Sequence, residues 1–315
     1  MKKPVLVVDK MHESLDEDFG KIGYEIDYRP DIQKSEIRAT LLEGSYIGLI
    51  VRSKIAVNED LIGGLDSLQF VCRAGAGLDN LDLPYLTRVN IKVVNAPEGN
   101  RDAVGEHCLG MLLMILHKIR MGDHEVRNYK WDREGNRGWE LKGKTVGILG
   151  YGHMGSAFAE KLAGLDCRVL AYDKAGKTTD LPFVEMVDEE RFFAETEILS
   201  IHIQLNDDNF QLIDYAYLQE FRNLTILMNS SRGEVLVLAD LVRLLREREL
   251  AGVALDVLEN EKIDRLSARE RATFEQLKSF ATVIMTPHVA GWTFESYRRI
   301  NKVLAEKVSA LDLAH

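Results

Sequence analysis

Short, almost wholly apolar runs recur along the chain, with polar stretches of helical length between them. VLVVD (residues 5–9), YIGLIV (46–51), LQFVC (68–72) and IKVVN (91–95) read as strands. They do not alternate apolar with polar, as strands with one wet face do. A strand covered on both faces has no polar side. Such runs, spaced by helical segments, predict an α/β architecture with a parallel sheet. The alternation then restarts, with strands predicted at 145–149, 168–172, 198–202, 225–229, 252–255 and 282–285. Between the two series the pattern predicts one long helix, from about Arg101 to about Tyr129. Its apolar residues Val104, Cys108, Leu109, Leu112, Leu113, Ile115, Leu116 and Ile119 cover more than one face, which predicts burial at a domain or subunit junction. YKWDREGNRGW then reads as a loop. At the C-terminus, Tyr297, Ile300, Val303, Leu304, Val308 and Leu311 fall at helical spacing and predict a long amphipathic helix. The charge-dense residues 259–279 read as a solvated loop carrying a helix.

A length of 315 residues suggests two domains. The net charge of −10 argues against nucleic acid or an anionic membrane surface as a partner. A small anionic substrate stays possible where basic residues cluster. The N-terminal apolar run is too short for a signal peptide, and LGMLLMILHKI is too short to span a bilayer. Cys72, Cys108 and Cys167 lie in apolar stretches without CxxC or zinc spacing. A cytoplasmic protein without a metal is expected.

Chemistry enters with TVGILGYGHMG. The glycines Gly150, Gly152 and Gly155 form G-x-G-x-x-G between a predicted strand and a predicted helix. In a dinucleotide-binding turn the first glycine allows the tight bend, the second admits the pyrophosphate, and the third lets helix and strand pack. The helix N-terminus offers N–H groups to phosphate. CRVLAYD then ends in Asp173, placed to accept hydrogen bonds from the adenosine ribose. A carboxylate there repels a 2′-phosphate, so NAD is favoured over NADP.

A nicotinamide cofactor calls for an acid/base and a cation to orient a carbonyl. Three stretches supply them, each after a predicted strand. MNSSRGE places Arg232, whose planar guanidinium can hold a carboxylate. ALDVLENE places Asp256 and Glu261, one for the nicotinamide side and one to hold an imidazole. MTPHVAGW places His288, and imidazole titrates near neutrality. His202 ends the strand in SIHIQL and is a candidate for the cofactor cleft.

These motifs in this order, with RAGAGLDNLD and VNAPEGNRDAVGEH, resemble the D-2-hydroxyacid dehydrogenase family over nearly the whole chain. The resemblance implies an NAD-binding Rossmann domain (99–286) inserted in a flavodoxin-like substrate domain (1–98 and 287–315), with boundaries near Glu98 and Pro287. It implies a catalytic set of Arg232, Glu261 and His288, and a homodimer formed largely through the cofactor domain. Val104, His153, Met154 and Gly291 are further expected cofactor contacts. Lys262 and Gln204 stand where the family has proline, and the segment from Glu261 to His288 is longer than expected. Glu259 therefore competes with Glu261 for its role.

In the reducing direction His288 is expected to protonate the carbonyl oxygen of a 2-oxo acid during hydride transfer. Arg232 would bind its carboxylate, with the turn Gly75, Ala76 and Gly77. Arg52, Ser53, Lys54 and Arg73 would suit a second anionic group. RS and RAGxGxDN resemble the phosphoglycerate dehydrogenase branch, which implies 3-phosphoglycerate and phosphohydroxypyruvate. On this reading a short form is expected, without the regulatory domain that some of those enzymes carry after the position of Leu311. Three other readings stay open: a glyoxylate or hydroxypyruvate reductase, an enzyme taking a bulky apolar acid beside Trp292, and an NAD-sensing corepressor-like protein.

Overall fold

Both series of apolar runs form parallel sheets in the computed structural model, which describes residues 3–247 and 250–312. The first sheet contains β1 (Lys3–Val7), β2 (Tyr24–Tyr28), β3 (Gly48–Val51), β4 (Phe70–Arg73) and β5 (Lys92–Asn95), in the order β2-β1-β3-β4-β5. The second contains β6 (Thr145–Leu149), β7 (Arg168–Tyr172), β8 (Val184–Met186), β9 (Ile198–Ile201), β10 (Ile226–Asn229), β11 (Gly252–Leu255) and β12 (Val283–Met285). Its order is β12-β11-β10-β9-β6-β7-β8. Every strand pair is parallel. In each sheet the chain winds one way, then returns to wind the other. The strand order therefore reverses between β1 and β3, and again between β6 and β9. At such points an open α/β sheet leaves a crevice at the carboxyl ends of its strands.

Burial on both faces explains the unbroken apolar runs. Successive residues of a strand point to opposite faces. Ile226 and Met228 of β10 join one core cluster and Leu227 the other; Ala254 of β11 is likewise opposed by Val253 and Leu255. The five-stranded sheet does the same: Val5 and Val7 on one face, Leu6 on the other. The chain divides into two compact units, between Arg101 and Asp102 and again between Gly291 and Trp292. One holds the five-stranded sheet and the C-terminal helix Phe294–Ser309; the other holds the seven-stranded sheet.

Three features differ from the sequence expectation. Strands β2 and β8 lie at sheet edges, where partial covering permits the polar residues of YEIDY and VEM. The single long helix is two, Pro97–Leu116 and Ile119–Arg127. Lys118 between them is left-handed at φ 51°, and the Leu116 carbonyl accepts from Trp139 N–H at 2.9 Å. That loop contact takes the acceptor which a continuing helix would use. The first helix starts at Pro97, whose missing N–H costs nothing at a helix start. Its residues Val104, Cys108, Leu112, Ile115 and Leu116 are buried, but Ile119 of the second helix is exposed.

The charge-dense segment contains a helix, Ala268–Ser279, opened by the capping box of Ser267 and Glu270. In the C-terminal helix Ile300, Leu304 and Val308 enter the core of the five-stranded sheet. Leu304 is fully buried there. Leu304→Ala should cost about 2–5 kcal/mol and lower the urea midpoint. An unchanged midpoint would mean that the sheet does not depend on this helix.

Candidate active site

Gly150 closes β6 with φ +90°, a conformation that L side chains avoid. A Cβ on Gly150 would lie 2.9 Å from the His202 carbonyl at the end of β9, and one on Gly155 would lie 2.1 Å from the Gly150 oxygen. Both glycines are therefore required by close backbone approach. At Gly152 a Cβ would meet nothing within 4 Å. That open space lies at the N-cap of the helix His153–Lys161, which no side chain caps. A phosphate fits such a cradle, because first-turn N–H groups have no partner inside the helix. Asp173, just past β7, accepts from Tyr151 N–H at 2.8 Å and from Ala175 N–H at 2.9 Å. Each oxygen keeps a lone pair for a ribose hydroxyl. His202 packs beside this turn. Its Nε2 meets Ser200 Oγ at 2.8 Å, while Nδ1 is buried without a partner among the described residues. Burial pushes its pKa down to about 4, so the ring is neutral at pH 7. The residues fit a dinucleotide: a glycine cradle at the β6/β9 reversal, a ribose acceptor and an unpaired ring nitrogen. His153 is exposed at the helix start and Met154 packs against the core, as does buried Val104.

The loops after β10, β11 and β12 lie side by side, because these strands are neighbours and parallel. Arg232 follows β10 and donates through Nη1 to the Ser231 carbonyl at 2.8 Å; Asn229 Nδ2 donates to the Arg232 carbonyl at 2.9 Å. A Cβ on Gly233 would lie 1.9 Å from the Leu258 carbonyl carbon, so the first two loops are locked together. His288 follows β12 in the left-handed region, φ 53°. This conformation is uncommon for a residue with a Cβ and persists only where surroundings impose it.

Asp256, buried after β11, imposes it. Its carboxylate accepts from Thr286 Oγ1 at 2.6 Å, Val289 N–H at 2.9 Å and Ala290 N–H at 2.8 Å. Its carbonyl accepts from His288 N–H at 2.8 Å. Since Thr286 donates to Asp256, its oxygen accepts from His107 Nε2, 3.1 Å away. Gly291 comes directly after this clamped stretch. Glu261 and His288 meet: Oε1 lies 2.7 Å from Nδ1, both side chains about half exposed. Glu259 is committed elsewhere. It accepts from Leu238 N–H at 3.2 Å, at the start of the helix Leu238–Glu247, and burial raises its pKa. The longer segment before His288 thus delivers Glu261, not Glu259, to the imidazole.

In the other unit, Gly75 follows β4 and its carbonyl accepts from Ala96 N–H at 2.9 Å. Asn95 Nδ2 holds the Ala76 carbonyl at 2.7 Å. The N–H groups of Ala76 and Gly77 have no acceptor among the described residues. The Arg73 guanidinium lies over Gly75. Arg52 and exposed Ser53 follow β3. Lys54 departs from expectation: its ammonium donates to the Val8 and Pro30 carbonyls, at 3.0 and 2.8 Å, and so serves the local backbone. Sequence reasoning passed over Thr286 and Asp9. Asp9 accepts from Arg52 N–H at 2.6 Å. Each carried the signal used for Asp173, a polar residue at the carboxyl end of an apolar run.

Residues 109–290 match the family model for the D-isomer specific 2-hydroxyacid dehydrogenase, NAD binding domain. The chain is 29% identical over 306 residues to D-3-phosphoglycerate dehydrogenase of Archaeoglobus fulgidus, covering 96% of this chain and 56% of that protein. It is 31% identical over 260 residues to hydroxypyruvate reductase of Thermotoga maritima, covering 82% and 83%. D-lactate dehydrogenase from Aquifex aeolicus, solved with NAD and lactic acid, superposes with a TM-score of 0.82 at 22% identity over 98% of this chain and 95% of that one. The chain thus belongs to the D-isomer specific 2-hydroxyacid dehydrogenase family, and its seven-stranded unit carries the family's NAD-binding domain. It spans about half the length of the phosphoglycerate dehydrogenases it matches. Among the described residues no helix is long and apolar enough to cross a membrane.

Two glycines separate packing from binding. Gly155→Ala should lower the thermal midpoint. Gly152→Ala should leave it in place yet weaken NAD about tenfold or more, as an overpacked site costs about 1–3 kcal/mol; calorimetric titration reads this directly. Asp256→Asn offers an amide where an acceptor is needed. It should cost about 1–3 kcal/mol of stability and lower turnover by releasing the His288 loop. Buried His202 has a folded pKa below its unfolded 6.5. Its contribution is present above pH 6.5 and is lost as pH falls toward 4, by up to about 3 kcal/mol. Urea melts across this range should show the slope, and His202→Asn should flatten it.

Proposed function

We propose that this chain is an NAD-dependent D-2-hydroxyacid dehydrogenase that interconverts a small 2-hydroxy acid and its 2-oxo acid. The observation that carries this reading is the 2.7 Å contact of His288 Nδ1 with Glu261 on strand ends neighbouring that of Arg232. Bound NAD supplies the two-electron redox chemistry at C2 of the substrate. Glu261 accepts from Nδ1–H, which leaves Nε2 as the working nitrogen of His288. In the neutral ring that nitrogen is a base and takes the proton of the 2-hydroxyl. In the charged ring it donates a proton to the 2-oxo oxygen. Arg232 holds the substrate carboxylate in its planar fork and polarises the neighbouring carbonyl. The open N–H groups of Ala76 and Gly77 serve as further anion donors. Asp173 favours NAD over NADP by its charge.

For the substrate we favour 3-phosphoglycerate and phosphohydroxypyruvate. Two guanidinium groups, Arg52 and Arg73, follow or end neighbouring strands β3 and β4 beside the Gly75 turn and suit a second anionic group. Hydroxypyruvate or glyoxylate reduction is the second reading. It is favoured by the commitment of Lys54 to backbone carbonyls, which leaves fewer cations for a phosphate. We further assign a homodimer, supported by exposed apolar side chains near the helix Ile119–Arg127: Ile119, Val126, Tyr129 and Trp131.

NADH oxidation should run faster at low concentration with phosphohydroxypyruvate than with hydroxypyruvate or glyoxylate. A preference for the unphosphorylated acids would make the second reading correct. His288→Ala should lower kcat by about 10²–10⁴-fold, the usual worth of a general acid/base. Near-normal turnover in that variant would remove His288 from the chemistry. Light scattering should give twice the chain mass in solution.

A further inference from the structure

Arg52 is held in an unusual way for a cation meant to meet an anion. Its backbone N–H is fixed by Asp9 at 2.6 Å, at the β1/β3 reversal of strand order. Its guanidinium carbon lies 4.0 Å from the ring centroid of Trp292 and 5.8 Å from that of Tyr297. The two rings pack 4.8 Å apart at 55°, and His12 meets Tyr297 edge-on at 5.8 Å. Trp292 is itself placed by the next residue: Thr293 caps the C-terminal helix, its hydroxyl accepting from Ser296 N–H at 3.1 Å. Among the described residues no carboxylate lies within ion-pair distance of the Arg52 guanidinium, although the charge of Asp9 acts on it from further off, and no acceptor takes its side-chain N–H groups.

A stack and a salt bridge fix an arginine differently. A carboxylate partner occupies N–H donors and cancels the charge. An aromatic face attracts the cation through its quadrupole, leaving charge and donors in place. Partial burial pushes the Arg52 pKa down, yet a guanidinium stays charged at any physiological pH. Arg73, by contrast, lies over Gly75, and Lys54 holds two carbonyls.

We propose that Trp292, backed by Tyr297, is a positioning residue that holds Arg52 ready for the anionic group of the substrate remote from its reacting carbon. The inference rests on the assignment of Arg52 to that group. It gives Trp292 a role in selecting a phosphorylated acid, not in lining a pocket for a bulky apolar one. The stack restricts a side chain rich in rotamers before substrate arrives, so less freedom is lost on binding.

The test compares KM values for phosphohydroxypyruvate and hydroxypyruvate in W292A, W292F, R52A and the double variant W292A/R52A, with inorganic phosphate as a competing probe. W292A should raise KM for the phosphorylated acid about 3- to 30-fold, the range of a cation–π contact, and weaken inhibition by phosphate in step. KM for hydroxypyruvate should move less than about twofold, and W292F should recover most of the loss because a phenyl face remains. In the R52A background W292A should add nothing. Equal losses for both acids, or a full W292A effect without Arg52, would overturn the proposal. If R52A raises KM for the phosphorylated acid and W292A does not, the positioning role alone fails. If R52A leaves that KM in place, the assignment of Arg52 to the phosphate fails, and this inference with it.

Discussion

The buried carboxylate of Asp256 is the constraint on which the rest of the site depends. It sits past β11 and takes donors from three residues of the loop past β12. These contacts fix the His288 backbone in the left-handed region, which is uncommon for a residue with a Cβ. With that backbone imposed, the imidazole meets Glu261. A charged hydrogen bond inside the protein is worth more than a neutral one, and leaving a donor unmade costs more still. The anchor is therefore strong and selective for one loop conformation.

The same device appears three times among the described residues. Asp9 follows β1 and takes an N–H from the loop after β3. Asp173 follows β7 and takes an N–H from the loop after β6. Asp256 follows β11 and clamps the loop after β12. In each case the two strands are sheet neighbours. Parallel strands end on the same edge, so a short acid after one reaches the backbone after the next. The sheet supplies the spacing and the carboxylate supplies the rigidity, which loops at a sheet edge otherwise lack.

Strands buried on both faces were legible because their sequences are almost wholly apolar, with only single polar residues such as Ser200 and Asn229 among them. Edge strands β2 and β8 were not, since partial burial gives them the composition of a loop. The break at Lys118 left no mark in the apolar spacing, because a contact from Trp139 decides it. Within the site, Gly150, Arg232, Glu261 and His288 could be named from motifs, but not what holds them. The choice between Glu259 and Glu261 depends on which one reaches the first helical turn at Leu238. The fate of Lys54 depends on two carbonyls, both distant in sequence. Spacing along a chain reports which residues are present at a site, whereas hydrogen-bond partners belong to the folded form.

The double duty of Asp173 limits how this fold can change its cofactor. On the proposed reading its charge repels a 2′-phosphate, while one of its oxygens latches Tyr151 N–H in the glycine turn. A replacement by a small neutral residue, the simplest way to admit NADP, would remove the repulsion and the latch together. The pyrophosphate cradle would loosen for either dinucleotide. A workable switch therefore needs a second change that restores an acceptor for Tyr151, so cofactor preference here is not separable into single evolutionary steps.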